Sequence, residues 1–140
     1  MDDDIRWALE ESSTWAVVGC SPDPSRDSRR IAALLQRRGL RVIPVNPAVD
    51  EVLGERCYES LQAVPEPVDV VDVFRRSSQA GGHVDEAIAI GARGVWLQLG
   101  VIDEAAAGRA RAAGLRVVMD RCPAIEWPKL DSATSGRSRG

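Results

Sequence analysis

Short apolar runs alternate along the chain with stretches in which apolar residues recur three and four positions apart. The first run, Trp15-Ala16-Val17-Val18, is apolar at every position and stops at Gly19. A strand buried on both faces needs such a run, whereas a strand with one wet face alternates. A loop with prolines at 22 and 24 follows, and Asp27 or Ser28 is placed to cap a helix carrying Ile31, Leu34 and Leu35. Gly39 stops that helix, and Arg41 to Val45 reads as a second strand closed by Asn46-Pro47. Residues 48–67 read as irregular, with a turn of helix around Ser60 to Ala63. Val68 to Phe74 is a third strand, rich in β-branched residues. Gln79 to Ile90 forms a helix stopped by Gly91, and Val95 to Leu99 a fourth strand. Asp103 caps an alanine-rich helix ending at Gly114, and Leu115 to Met119 is a fifth strand. This alternation predicts an α/β fold: a doubly wound parallel sheet of about five strands, with helices on both faces and right-handed crossovers.

Composition narrows the class. The 140 residues are 44% hydrophobic and 28% charged, ordinary for one globular domain. That length buries roughly two-thirds of the unfolded chain's surface, enough for a core without staples. Residues 1–130 form the expected domain, and residues 131–140, rich in Ser, Gly and Arg, read as a disordered tail. The net charge of −3 argues against nucleic acid as a partner. No apolar run approaches the roughly 20 residues of a membrane span. The opening Met1-Asp2-Asp3-Asp4 lacks the positive charge of a secretory signal, so a cytoplasmic location is expected. Cys20, Cys57 and Cys122 are odd in number and widely spaced, which points to reduced thiols and no metal site.

In an open parallel sheet, ligands sit beyond the carboxyl ends of the strands. Five loops therefore matter: Gly19-Cys20-Ser21, Asn46-Pro47, Phe74-Arg75-Arg76, Gln98-Leu99-Gly100 and Asp120-Arg121-Cys122-Pro123. The first carries the strongest signal. Gly19 allows a tight turn, and the helix that follows offers unpaired N–H groups and a partial positive charge suited to phosphate. Ser21, Ser25 and Ser28 add hydroxyls, and Arg26, Arg29 and Arg30 add charge. The plain alternative is a βα turn with solvated arginines. A dinucleotide site would show G-x-G-x-x-G and an acid ending the second strand. Here the loop reads Gly19-Cys20-Ser21-Pro22-Asp23-Pro24 and the strand ends in Asn46-Pro47, which disfavours NAD.

Several ungapped blocks occur in one order: Ala16 to Ser21, Arg41 to Pro47, Glu51 to Glu55, Glu66 to Arg76, Val95 to Gly100 and Val118 to Cys122. In these blocks the chain resembles the small, stand-alone CoA-binding domain proteins, related to the nucleotide-binding domain of the succinyl-CoA synthetase α subunit. The resemblance spans roughly residues 10–127. It implies a Rossmann-like domain that binds coenzyme A across its strand ends. The loop from Gly19 to Arg26, with Cys20, Ser21, Ser25 and Ser28, would face the diphosphate. Val45, Asn46 and Pro47 would lie against adenosine. Phe74 and Arg75 would line the middle, Gln98 and Gly100 would approach the pantetheine arm, and Arg121 and Cys122 would lie beyond. The ligases carry a further domain with a phosphorylated histidine that this sequence lacks. Its one histidine, His83, starts a surface helix.

The remaining residues read as structural. Asp69 and Asp72, three apart in one strand, point to opposite faces and suit helix capping or a hold on Arg75 or Arg76. Of that pair, Arg75 is expected to face the ligand. Trp96 belongs to the core, while Trp7, Trp15 and Trp127 suit the sheet edges or a homodimer contact. Cys57 and Tyr58 have no assigned role. The favoured reading is a coenzyme A binding module without catalysis of its own. An enzyme using Cys20 or Cys122, a subunit working with a partner enzyme, and an NAD(P) sensor are the alternatives.

Overall fold

The computed structural model describes the backbone of residues 2–139 and the side chains of residues 2–133. In chain order the elements are α1 (Asp3–Arg6), continued by one wider turn over Trp7–Glu11, then β1 (Thr14–Val18), α2 (Asp27–Arg37), β2 (Arg41–Val45), β3 (Glu51–Val52), β4 (Glu55–Arg56), a 3-10 turn (Leu61–Ala63), β5 (Val70–Val73), α3 (Ser77–Ala89), β6 (Gly94–Leu97), α4 (Glu104–Ala112), β7 (Arg116–Val118) and α5 (Pro123–Arg139). Five of the strands form one sheet in the order β2-β1-β5-β6-β7, and every neighbouring pair is parallel. The fold is α/β and Rossmann-like, as the alternating pattern predicts. The small antiparallel pair β3–β4 stands outside it.

The largely apolar strands serve two cores. On one face Trp15, Val17, Val42, Val70 and Trp96 meet Ile31 and Leu35 of α2 and Trp127 and Leu130 of α5. On the other, Ala16, Val18, Val71, Val73 and Leu97 meet Ala80 and Val84 of α3 and Ala106 and Ala110 of α4. The alanine-rich sides of α3 and α4 let both helices lie close to the sheet. Trp15 is a correction to the sequence reading. It lies at the centre of the first core, fully buried, with its ring 5.5 Å from that of Trp96. Pro44 is tolerated because β2 is the edge strand, where a missing N–H breaks no ladder.

Where the sequence reading differs, a competing contact is the cause. The strands are shorter than their apolar runs. Asp69 leaves β5 because its carboxylate accepts the N–H groups of Ser13 and Thr14 at 2.7 and 3.1 Å. Gln98 leaves β6 because its carbonyl closes a turn by accepting Val101 N–H. The stretch 48–67 contains the β3–β4 pair within its irregular chain, and Ser60 caps the expected turn. Helix α5 went unread because Pro123 and Pro128 look like breakers, yet Pro123 occupies its first position, where no N–H is needed. The expected tail over 131–140 falls mostly on side chains outside the described residues. The backbone of residues 131–139 continues α5, and Asp131 pairs with Arg38 at 2.5 Å. Among the described residues no helix is long and apolar enough to cross a membrane.

One polar residue is sealed inside. Asp72 lies in β5 between Val17 and Trp96 of the flanking strands and is fully buried. Gln98 Nε2 donates to its Oδ1 at 2.7 Å, while Oδ2 has no partner. Neither Asp69 nor Asp72 holds Arg75 or Arg76, contrary to the sequence reading. Burial pushes the Asp72 carboxyl up to about 8, and the Gln98 bond pulls the other way. Because the folded value lies above the unfolded one, the native state binds this proton more tightly. The resulting stability is complete below the unfolded value of 3.8 and is lost as pH rises through about 8. Within that window each pH unit removes up to roughly 1.4 kcal/mol. Asp72→Asn is expected to flatten this slope, measured as the difference between wild-type and variant denaturant unfolding from pH 5 to 8. Parallel profiles would contradict a proton held in the core.

Candidate ligand-binding site

From β1 the chain runs outward to β2 and then crosses back to β5 on the other side of β1. Loops at the carboxyl ends of β1 and β5 therefore part in opposite directions and open a crevice between them. A cleft of about 1020 Å³ lies there. Its walls come from the first loop and α2, from the ends of β2, β5 and β6, and from the start of α5.

Gly19 sets the geometry. It has φ +81°, and a Cβ there would sit 2.5 Å from the Phe74 carbonyl oxygen and 3.2 Å from Arg75 Nε. Only glycine permits both the left-handed backbone and this approach. The loop beyond is fixed by its own serines. Ser21 N–H donates to Ser28 Oγ at 3.0 Å, and Asp23 N–H donates to Ser21 Oγ at 3.1 Å. Ser25 donates both its N–H and its hydroxyl to Asp23, which holds the Asp23 carboxyl below its usual range. Neither Asp27 nor Ser28 caps α2, which corrects the sequence reading. Asp27 is the first helical residue, its carboxylate pairs with Arg30, and the cap position is Arg26, whose side chain makes no cap bond. The first turn of α2 therefore keeps N–H groups with no side-chain acceptor, next to the cleft.

Asn46 ties the second strand to this loop. Its Nδ2 donates to the Cys20 carbonyl at 3.0 Å, and its Oδ1 accepts Ala48 N–H at 3.0 Å. Gly19 N–H in turn donates to the Val45 carbonyl. At the far end, Cys122 is half-buried, and its carbonyl accepts the N–H groups of Ile125 and Glu126 at the start of α5.

Among the residues expected at the site, Gly19, Ser21, Ser25, Arg26, Ser28, Asn46, Phe74, Arg75, Gln98 and Cys122 line the cleft. The others do not line it. Cys20 and Val45 are buried in the core, Pro47 is exposed beyond Asn46, and Gly100 donates its N–H to Asp120. Arg121 is exposed, and its carbonyl accepts the Trp96 indole N–H at 2.8 Å. Arg30 and Leu99, named at the strand-end loops, also line the cleft, while the sequence reading does not assign Arg37, Ile31, Leu34, Val101 and Ala124 to it. Positions 27, 30, 31, 34 and 37 form one stripe of α2, so helical spacing held the signal. The sequence reading gives only Arg30 of that stripe to the ligand and reads Ile31 and Leu34 as the apolar face of the helix. His83 lies outside the cleft on α3 and bonds Glu86 at 2.7 Å.

The electrostatics are one-sided. Arg26, Arg30, Arg37, Arg75 and Arg76 line the cleft, and the carboxylate facing them, Asp27, is already paired with Arg30. This cationic surface belongs to a chain of net charge −3. The Nε of Arg29, beneath the loop, is buried without a partner. The thiols behind the cleft are protonated. Burial, reinforced by Cys57 and Asp72, pushes Cys20 up to about 12, and burial also raises Cys57. The cleft therefore offers cations, helix N–H groups at the first turn of α2, and Ile31, Leu34, Phe74, Leu99 and Val101 as apolar surface. A phosphorylated nucleotide with a long, mostly uncharged arm has this distribution of chemistry, so the residues present fit coenzyme A.

Known proteins agree with the geometry. Residues 13–128 match the family model described as CoA binding domain. The chain is 39% identical over 119 residues to the uncharacterized protein YneT of Bacillus subtilis, covering 85% of this chain and 88% of that one. It is similar to the solved structure of a hypothetical protein from Pyrococcus horikoshii, with a TM-score of 0.87 and 38% identity over 93% of this chain and 92% of that one. It is also similar to the dinucleotide forming acetyl-coenzyme A synthetase 1 of Ca. Korarchaeum cryptofilum, solved with phosphate and ADP, at a TM-score of 0.71 and 28% identity. That match covers 85% of this chain and 28% of the synthetase. By sequence and by fold, the chain belongs to the CoA binding domain family.

Proposed function

We propose that the protein binds coenzyme A in the cleft over the β1–β5 divide and holds it without catalysing a reaction. The observation that carries this reading is the set of five arginines lining one cleft, with Arg26 and Arg30 at the first turn of α2. A diphosphate and a 3′-phosphate need several cations, and the planar guanidinium donates two hydrogen bonds to one phosphate. The diphosphate would rest on the Gly19 loop and the first turn of α2, with Arg75 over it. Adenosine would lie toward Asn46, and the pantetheine arm would run past Phe74 and Gln98 toward Cys122. The chemistry behind the cleft supports binding without turnover. Cys20 and Cys57 are buried, and burial raises both thiols, so neither is poised as a nucleophile. The reading also places the protein in the cytosol, where its thiols stay reduced.

A ligand that binds only the native state stabilises it by about 2.7 kcal/mol at a hundredfold excess over Kd, on the order of 10 °C for a domain of this size. Thermal melts are expected to rise by that amount with coenzyme A and to stay unchanged with NAD or NADP. Asn46, at the position where a dinucleotide site needs an acid, is already committed to Cys20 and Ala48. Ser21→Glu is expected to abolish the rise, because a carboxylate there repels the diphosphate. A larger shift with NAD than with coenzyme A at equal concentration would overturn the reading.

The direction of the ligand has its own test. If the arm points to Cys122, that thiolate attacks one sulfur of coenzyme A disulfide, breaks the S–S bond and releases one coenzyme A thiolate, leaving a mixed disulfide. Peptide mass spectrometry after incubation with coenzyme A disulfide is expected to find the adduct on Cys122 and none in Cys122→Ser. An adduct on Cys20 would mean that the ligand lies the other way round.

A further inference from the structure

Gln98 is the one strand-end residue in the cleft wall whose side chain is almost wholly buried, with 5% exposed. Its amide has two ends with opposite chemistry, since Nε2 donates and Oε1 accepts. Nε2 is committed to Asp72 Oδ1 at 2.7 Å. Among the described residues Oε1 accepts no hydrogen bond, and it is not among the buried atoms cut off without a partner. The amide therefore turns its donor inward and its acceptor toward the cleft.

Asp72 is what sets that orientation. An ionised carboxylate only accepts, so its partner must be the amide nitrogen. A carboxyl protonated on the unpartnered Oδ2 still presents Oδ1 as an acceptor toward Gln98. With the proton on the unpartnered Oδ2, the same edge of the amide faces the core as with the ionised acid. The strand register supports this, because Asp72 pairs with Trp96 and Gln98 follows on the same face of the sheet two residues later. A fully buried acid with one unmatched oxygen is expensive to keep in a core. The one side-chain bond it makes is to the residue that lines the cleft.

We infer that Asp72 is a positioning residue, and that it makes Gln98 a hydrogen-bond acceptor in the cleft wall, selective for an N–H or O–H donor on the ligand. This rests on the coenzyme A reading, and it assigns Gln98 to the uncharged arm of the ligand. Phosphate oxygens are acceptors and are repelled by an exposed carbonyl, whereas the pantetheine arm carries amide N–H groups and a hydroxyl. The apolar neighbours Leu99 and Val101 and the distance of Gln98 along the sheet from α2 fit the arm.

The test compares two probes by isothermal titration: coenzyme A, and adenosine 3′-phosphate 5′-diphosphate, which is coenzyme A without its arm. Gln98→Met keeps the length and apolar bulk of the side chain and removes the acceptor. It is expected to weaken coenzyme A roughly fivefold to twentyfold, the worth of one buried hydrogen bond, and to leave the armless probe unchanged. Asp72→Asn frees the amide to turn and is expected to weaken coenzyme A in the same selective way. In that variant the Gln98 side-chain amide ¹⁵N–¹H signals shift and exchange faster with solvent, which a purely packing role for Asp72 would not produce. Should Asp72→Asn fail to fold, Gln98→Met and the wild-type amide signals decide. Unchanged coenzyme A affinity in Gln98→Met, or equal losses for both probes, would overturn the inference while leaving coenzyme A as the ligand. Failure of both probes to bind the wild-type protein would overturn the coenzyme A reading, and this inference with it.

Discussion

The backbone of Gly19 and the carbonyl of Phe74 approach so closely that a single added methyl group would stand 2.5 Å from the oxygen. Everything at the ligand-binding end depends on that approach. It occurs where β1 and β5 are neighbours although the chain has left β1 in the opposite direction, so the loops diverge just above it. The contact makes the floor of the crevice backbone, with no side chain to fill it. It also brings Arg75 over the first loop, with Nε 3.2 Å from the place a Gly19 side chain would occupy. A bulkier residue would fill the cradle and push away the guanidinium together.

The polar residues around this floor divide into those that hold the loop and those that face the cleft. Ser28, Asp23 and Asn46 belong to the first group, since each is committed to backbone N–H or carbonyl groups of the loop. Because these bonds are made within the protein, the loop is shaped before a ligand arrives, and binding need not pay for ordering it. The arginines belong to the second group. Most of them are long, exposed side chains on α2 and at the end of β5, free to close on phosphate. A hydrogen-bonded floor with exposed cations above it suits a charged, flexible ligand.

The sheet was legible in the sequence because its strands are buried on both faces: Trp15 to Val18 and Val42 to Val45 are apolar throughout, and Val70 to Val73 is interrupted only by Asp72. Helices with strong caps or stops, such as α4 behind Asp103, were legible too. Helix α5 was not, since its prolines mimic a break and its Trp127 and Leu130 are buried against residues distant in sequence, with Arg38 4.9 Å from the Trp127 ring. The site was half legible. Strand-end residues could be named from position alone, but whether a side chain faces the cleft or the core depends on tertiary contacts. Cys20 was expected at the ligand and is wholly buried, while Arg37 was unassigned and lines the cleft. The α2 stripe was hidden because the same spacing serves core and cleft at once.

The account stands or falls on which nucleotide occupies the crevice. Native mass spectrometry of the protein, taken straight from cells and then titrated with coenzyme A, addresses this without assuming a ligand. The account predicts a complex carrying one coenzyme A per chain, weakened when Arg75 is replaced by alanine. A complex with NAD or another nucleotide that coenzyme A does not displace would contradict it.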